Sequence, residues 1–175
     1  MSTQDLEALF GGKKSSPFKS ELEIFKKFPS RLEFAIEGLS GSKLKWKPNP
    51  KQFSIREMIC HLVDMESLGL ANMNAIIASP ENEPPKLLSF DTTMLASRLE
   101  YNDQDELLAL QTLKYFRKYL SDILKLVPDT MTEKKGLLAK NKTTTLMEIL
   151  QEHNKHAEKH LKDIERLKEE FGERE

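Results

Sequence analysis

The last third of the chain sets the tightest constraint on the fold. Leu146, Ile149, Leu150, Ala157, Ile164, Leu167 and Phe171 recur every three, four or seven residues. Placed about 100° apart, they share one side of a helix, whereas a strand would need alternation by two. Three further segments carry the same period: Leu22, Phe25, Leu32, Ile36 and Leu39; then Ile55, Met58, Leu62, Met65, Met73 and Ile76; then Leu107, Leu110, Leu113, Phe116, Leu120, Ile123 and Leu124. No strand pattern competes anywhere. Four long amphipathic helices without a sheet can bury their stripes only against one another, so the sequence predicts an all-α four-helix bundle.

Local signals fix the boundaries. Residues 1–16 are small and polar and read as a flexible lead-in, in which Leu6, Leu9 and Phe10 could form a short docked turn. Residues 17–172 form one domain. Pro17 suits the first turn of the first helix; Pro29 lies inside it and is expected to kink or split it, and Gly38, Gly41 and Ser42 end it. Trp46-Lys47-Pro48-Asn49-Pro50 reads as an extended connection, with Trp46 as its anchor. Ser54 with Glu57 three residues on forms a capping box for a second helix that runs to about Ala78, before Ser79-Pro80. The stretch 80–103 is long for a structureless loop, so a short helix is expected around Thr93–Leu99. The third helix spans about Asp103–Leu126. A polar, basic stretch follows, and the fourth helix starts around Thr143–Thr145, with Glu148 placed to box with Thr145, and runs to about Phe171.

Bulk properties narrow the function. A 175-residue chain with 38% hydrophobic and 31% charged residues reads as one globular domain. Its formal net charge of -1 argues against a general nucleic-acid binder, which needs a basic face. The lone cysteine, Cys60, permits no internal disulfide and favours a reducing compartment. There is neither a membrane-length apolar run nor a signal-peptide pattern, so the expected location is the cytoplasm.

All four histidines fall in two of the helices: His61 in the second, and His153, His156 and His160 in the fourth. His153 and His160 interrupt the apolar stripe of the fourth helix and His156 lies at its edge, while Lys155, Glu158, Lys159, Lys162 and Arg166 occupy the other faces. The Glu158–Lys162 pair is a solvated i, i+4 pair. Imidazoles on a core face cost free energy unless they are paired or bound to something. His156 and His160 sit one turn apart, the spacing needed for two nitrogens to share an ion. His153 and His160 are about 10.5 Å apart along the axis, too far for that. His153 with His156 is a second choice; otherwise His153 is a packed residue or supports a ligand from behind. His61 lies beside the apolar stripe of its helix and would complete a three-histidine metal site with a position left for water or substrate.

Two segments give a family resemblance. Phe53-Ser54-Ile55-Arg56-Glu57-Met58-Ile59-Cys60-His61-Leu62-Val63-Asp64-Met65-Glu66 resembles the second-helix segment of the DinB-like, or YfiT-like, superfamily of metalloenzymes, which ends in His-Leu-x-Asp-x-Glu. His156-Ala157-Glu158-Lys159-His160-Leu161-Lys162-Asp163-Ile164 resembles that family's last helix, HxxxHLxxI. Trp46 with Pro48, and Phe28-Pro29-Ser30-Arg31-Leu32, are looser matches. The resemblance implies an up-down-down-up bundle, often dimeric. It implies a divalent ion, commonly nickel or zinc, at His61, His156 and His160, and a small-molecule substrate, with a low-molecular-weight thiol as co-substrate in some members. Relatives often carry HxxHH, where this chain has Lys159.

The resulting expectation is a metal-dependent transferase or hydrolase in which the ion activates a thiol or a water. The rival expectation is a non-catalytic, metal-stabilised dimer, which would close its site with a fourth protein ligand. Asp64 is the candidate proton acceptor; Glu57 is read as a cap. Cys60 points about 100° away from His61 and is not expected to act as a nucleophile.

Overall fold

A computed structural model describes residues 16–172; the lead-in expected over 1–15, with Leu6, Leu9 and Phe10, lies outside the described residues. Helices α1 (Pro17–Ile36), α3 (Ile55–Ala78), α5 (Glu106–Leu124) and α6 (Leu146–Gly172) are the four long elements. Two short helices, α2 (Gly41–Lys45) and α4 (Thr92–Arg98), lie in the connections.

The neighbouring pairs are α1 with α5 and α6, and α3 with α5 and α6. Cross-links between them fix directions. Glu21 meets Asn154, and Ala35 meets Lys168, so α1 and α6 run parallel. Arg56 pairs with Glu106 and Glu66 with Arg117, so α3 and α5 run parallel. Arg117 reaches Phe25 while Lys114 reaches Glu33, so α5 runs against α1. The bundle is therefore up-down-down-up, with the chain crossing the diagonal between α1 and α3 and again between α5 and α6.

Capping behaves as the sequence dictates. Ser54 Oγ accepts from Glu57 N at 3.1 Å, and the Glu57 carboxylate accepts from Ser54 N at 2.7 Å. Thr145 and Glu148 repeat the reciprocal pattern at the start of α6. Trp46 anchors its connection by packing edge-on against Phe171, ring centroids 5.6 Å apart.

Of the kink or split expected at Pro29, the split does not occur: α1 runs unbroken from Pro17 to Ile36. A proline removes the N–H that would bond the carbonyl four residues back, here that of Phe25. Arg117 Nη1 from α5 supplies the missing donor at 3.1 Å. Helix α1 ends at Ile36 rather than after Leu39, because Gly38 takes φ +75°, and the unforeseen helix α2 follows. The connection between α5 and α6 holds a two-stranded antiparallel ribbon, β1 (Lys135–Leu137) and β2 (Thr143–Thr145), where no strand was expected. At three residues each, these strands are too short to show a period; only the β-branched Thr143-Thr144-Thr145 hinted at them. Helix α5 starts at Glu106, capped by Asp105, because residues 101–103 form a separate single turn. Among the described residues no helix is long and apolar enough to cross a membrane.

The core fills the bundle axis from Phe18, Leu22 and Phe25 at one end to Leu62, Leu113 and Ile164 toward the other. Across the middle runs a buried polar bar. Arg117 and Glu66 are each about 1% exposed and joined by contacts of 2.6 and 2.8 Å to Glu66 Oε1. The guanidinium stands 4.2 and 4.5 Å from the rings of Phe25 and Phe28.

Candidate metal centre

His61 leaves α3 two turns after its cap, and His156 and His160 leave α6 one turn apart, on the seam where these two helices run antiparallel. The three Nε2 atoms converge: His61 to His156 is 3.1 Å, and His156 to His160 is 2.9 Å. The rings stand nearly perpendicular to one another. Phe53 covers His61 from the side, with centroids 5.4 Å apart. His61 and His160 are buried and His156 is partly so.

These separations are not satisfied by hydrogen bonding alone. A neutral imidazole nitrogen has one in-plane site, which holds either a proton or a lone pair. His156 Nε2 can therefore donate to one neighbour or accept from one, not serve both. Two ligand atoms each about 2.0–2.1 Å from one ion, at angles of about 90–110°, lie about 2.9–3.4 Å apart. The observed pair distances fall in that interval, so the donor set fits a divalent cation. Among the described residues, these three histidines form the one group of histidine, cysteine or acidic side chains with ligand atoms close enough to share an ion.

Electrostatics keep the rings neutral, as metal ligation requires. Burial pushes His61 down to about 4, helped by His156 and Lys159. Burial also pushes His160 down to about 3, helped by His156, His61 and Lys159. His156 is lowered by burial, then by His153 and Lys159.

A cavity of about 420 Å³ opens onto the cluster, between α3, α6 and the two connections that hold residues 51–53 and Thr92-Thr93. Phe53 and Met58 give it an apolar side. Lys51, Lys159 and Arg166 supply cations, and Asp163 supplies the single carboxylate. Asp163 and Arg166 were not picked out from the sequence. Their only signal was spacing: they follow His160 at i+3 and i+6 on the same helix.

The other candidates are placed elsewhere. Asp64 accepts a hydrogen bond from the Tyr101 hydroxyl and lines a separate cleft with Cys60 and Leu108. Cys60 is buried, and burial followed by the Asp64 charge pushes its thiol up to about 11. Glu57 is engaged in its cap and in an ion pair with Lys47 at 2.9 Å. His153 sits outside the group of three: its Nδ1 lies 3.5 Å from Glu66 Oε2, its ring meets Phe25 edge-on at 6.4 Å, and it lies against Gly69, where a Cβ would collide with it.

The fold recurs in a known structure. YfiT from Bacillus subtilis, described as "a probable metal-dependent hydrolase with an unusual four-helix bundle topology", superposes with a TM-score of 0.83 at 16% identity, over 92% of this chain and 91% of YfiT. A search of curated proteins found no match. A family model of the DinB superfamily matches residues 24–169, which include all four histidines, all of α3 and α5, and most of α1 and α6. The chain belongs to the DinB superfamily.

Proposed function

We propose that this protein is a metal-dependent enzyme in which His61, His156 and His160 hold one divalent ion, nickel or zinc, and that it acts on a small anionic molecule as a hydrolase. The observation that carries the reading is the convergence of three imidazole nitrogens within 4.8 Å of one another, with His156 Nε2 at 3.1 and 2.9 Å from its two neighbours, two contacts that a single nitrogen cannot satisfy by hydrogen bonding but that suit a shared ion. Imidazole nitrogen donors suit both metals. The description of YfiT as metal-dependent supports the same assignment.

A bound divalent ion supplies Lewis acidity, lowering the pKa of a water or thiol that reaches it. The chain's own residues supply the rest. Depressed basicity keeps the three imidazoles unprotonated near neutral pH. Phe53 and Met58 shield one side of the cavity from water. Lys51, Lys159 and Arg166, against Asp163 alone, favour negative charge on the substrate. The donor group has three members and a cavity opens onto it, which favours an enzyme over a site closed for structural purposes. Transfer to a low-molecular-weight thiol is the alternative chemistry at the same ion, and assaying for thiol-adduct formation separates the two.

The test is elemental analysis of purified protein and of four single variants. His61→Ala, His156→Ala and His160→Ala are expected to lose the stoichiometric metal, and His153→Ala to retain it. Full metal content in any of the first three variants would contradict the assignment.

A further inference from the structure

The three rings use their Nε2 atoms at the centre, which leaves the opposite nitrogens to be accounted for. His61 Nδ1 and His160 Nδ1 are buried and have no hydrogen-bond partner. An imidazole that gives its Nε2 lone pair to a cation carries its proton on Nδ1. Such a buried N–H without an acceptor is costly, and metal-binding histidines nearly always donate it to a carboxylate or carbonyl.

Two acceptors stand on the wall of the same cavity. Asp163 Oδ2 lies 3.9 Å from His160 Nδ1, about 1 Å beyond an N–H···O bond, a gap that a change of the Asp163 rotamer would have to close. Asp163 follows His160 by three residues, so the two share a helix face. Its carboxylate is also approached by Arg166 Nη2 at 3.5 Å and Lys159 Nζ at 3.9 Å, which hold it close to the ring. The second acceptor is Gln52 Oε1, which is buried and has no partner. Gln52 precedes Phe53, the residue whose ring lies against His61. Asp163 and Gln52 thus line the same cavity as the two rings whose Nδ1 atoms lack partners, with Asp163 one helical turn from His160 and Gln52 beside the residue that packs on His61.

We propose that Asp163 and Gln52 are positioning residues of the metal centre: Asp163 accepts the Nδ1–H of His160, and Gln52 Oε1 accepts that of His61. This rests on the metal reading above. The two acceptors fix the tautomer that exposes the Nε2 lone pairs, and the anionic one strengthens its histidine as a donor to the ion. Asp163 thereby has a task distinct from touching substrate.

The experiment titrates metal-free protein with zinc against a chelating dye, for the wild type and for Asp163→Leu, Asp163→Asn and Gln52→Leu. In parallel, long-range proton–nitrogen spectra of the zinc-loaded proteins read the tautomer and the Nδ1–H signal of each ring. Asp163→Leu is expected to weaken zinc binding about 10- to 100-fold and to lose the His160 Nδ1–H signal to solvent exchange. Asp163→Asn, which keeps an acceptor oxygen, is expected to restore the signal and most of the affinity. Gln52→Leu is expected to do to His61 what Asp163→Leu does to His160. Circular dichroism checks that each variant keeps its helices. Zinc affinity and ring signals unchanged in the two leucine variants would overturn this inference alone. A folded wild type that takes up neither zinc nor nickel would overturn it together with the metal reading.

Discussion

Replacing Arg117 with methionine removes the guanidinium while keeping most of the stem's volume, and the structure allows its cost to be worked out. Arg117 neutralises Glu66, where both side chains are about 1% exposed, and it donates to the Phe25 carbonyl that Pro29 leaves without a partner. Removing one member of a buried ion pair costs about 3–5 kcal/mol. An abandoned buried carbonyl adds about 1–3 kcal/mol. The sum, about 4–8 kcal/mol, rivals the whole stability of an ordinary domain and corresponds to a melting point lower by about 10–30 °C for a chain of this size. Thermal and urea unfolding followed by circular dichroism measure it. The double variant Arg117→Met/Glu66→Leu is expected to recover most of the loss, because a buried pair replaced as a unit by apolar groups is close to neutral. Pro29→Ala restores an N–H facing Phe25 O, so Arg117→Met is expected to cost about 1 kcal/mol less in that background. The same bar gives a pH dependence. Burial alone would raise the Glu66 carboxyl, but Arg117 and His153 outweigh it and hold the group below its usual value. A depressed carboxyl contributes stability that is present above its unfolded-state pKa of about 4.3 and is lost as pH falls further. Wild type should therefore lose this share of its stability in acid, whereas the double variant should not. A melting point for Arg117→Met within a few degrees of wild type, with no coupling to residue 66 or 29, would refute the account.

Three further outcomes are expected. Cys60, with its thiol pushed up to about 11, should resist alkylation at pH 8 in the native protein and react fully in denaturant; rapid labelling of folded protein would place the thiol in a different setting. Gly69→Ala should destabilise the fold by about 1–3 kcal/mol, since the new methyl group strikes the His153 ring; pairing it with His153→Ala should relieve most of that, and an unfolding midpoint unmoved by Gly69→Ala alone would show the contact to be loose. Ser54→Ala should cost about 1 kcal/mol or somewhat more, because its hydroxyl caps α3 and also donates to Asn102 Oδ1; an unchanged denaturation curve would argue against both bonds.

The helices and the histidine cluster were legible because each rests on a period. Apolar residues every three or four positions place a stripe on one face, and His156 and His160 sit on that face one turn apart. The boundaries at Ser54 and Thr145 were legible because a capping box is a local pattern of two residues. Asp64 was not, because its surroundings depend on where Tyr101 arrives from the connection after α3, a path that no periodicity describes. The continuity of α1 through Pro29 was hidden for a related reason: it is supported by a donor 88 positions later in the chain, and only the packing of α5 against α1 brings Arg117 to the vacated carbonyl. Asp163 and Gln52 are ordinary polar residues in the sequence, and their significance comes only from the unpartnered ring nitrogens near them.

The two nitrogens that meet across the seam between α3 and α6 lie 95 residues apart in the chain and 3.1 Å apart in space. An ion gripping both would tie that length into a ring, so the grip acts on how the bundle opens as well as on what it binds. A cross-link spanning such a loop removes about 4–5 kcal/mol of freedom from the unfolded chain in the simplest entropic treatment. Removing the ion should therefore lower the stability of the whole bundle, and the slowest backbone amides, those of α5 included, would exchange with solvent sooner.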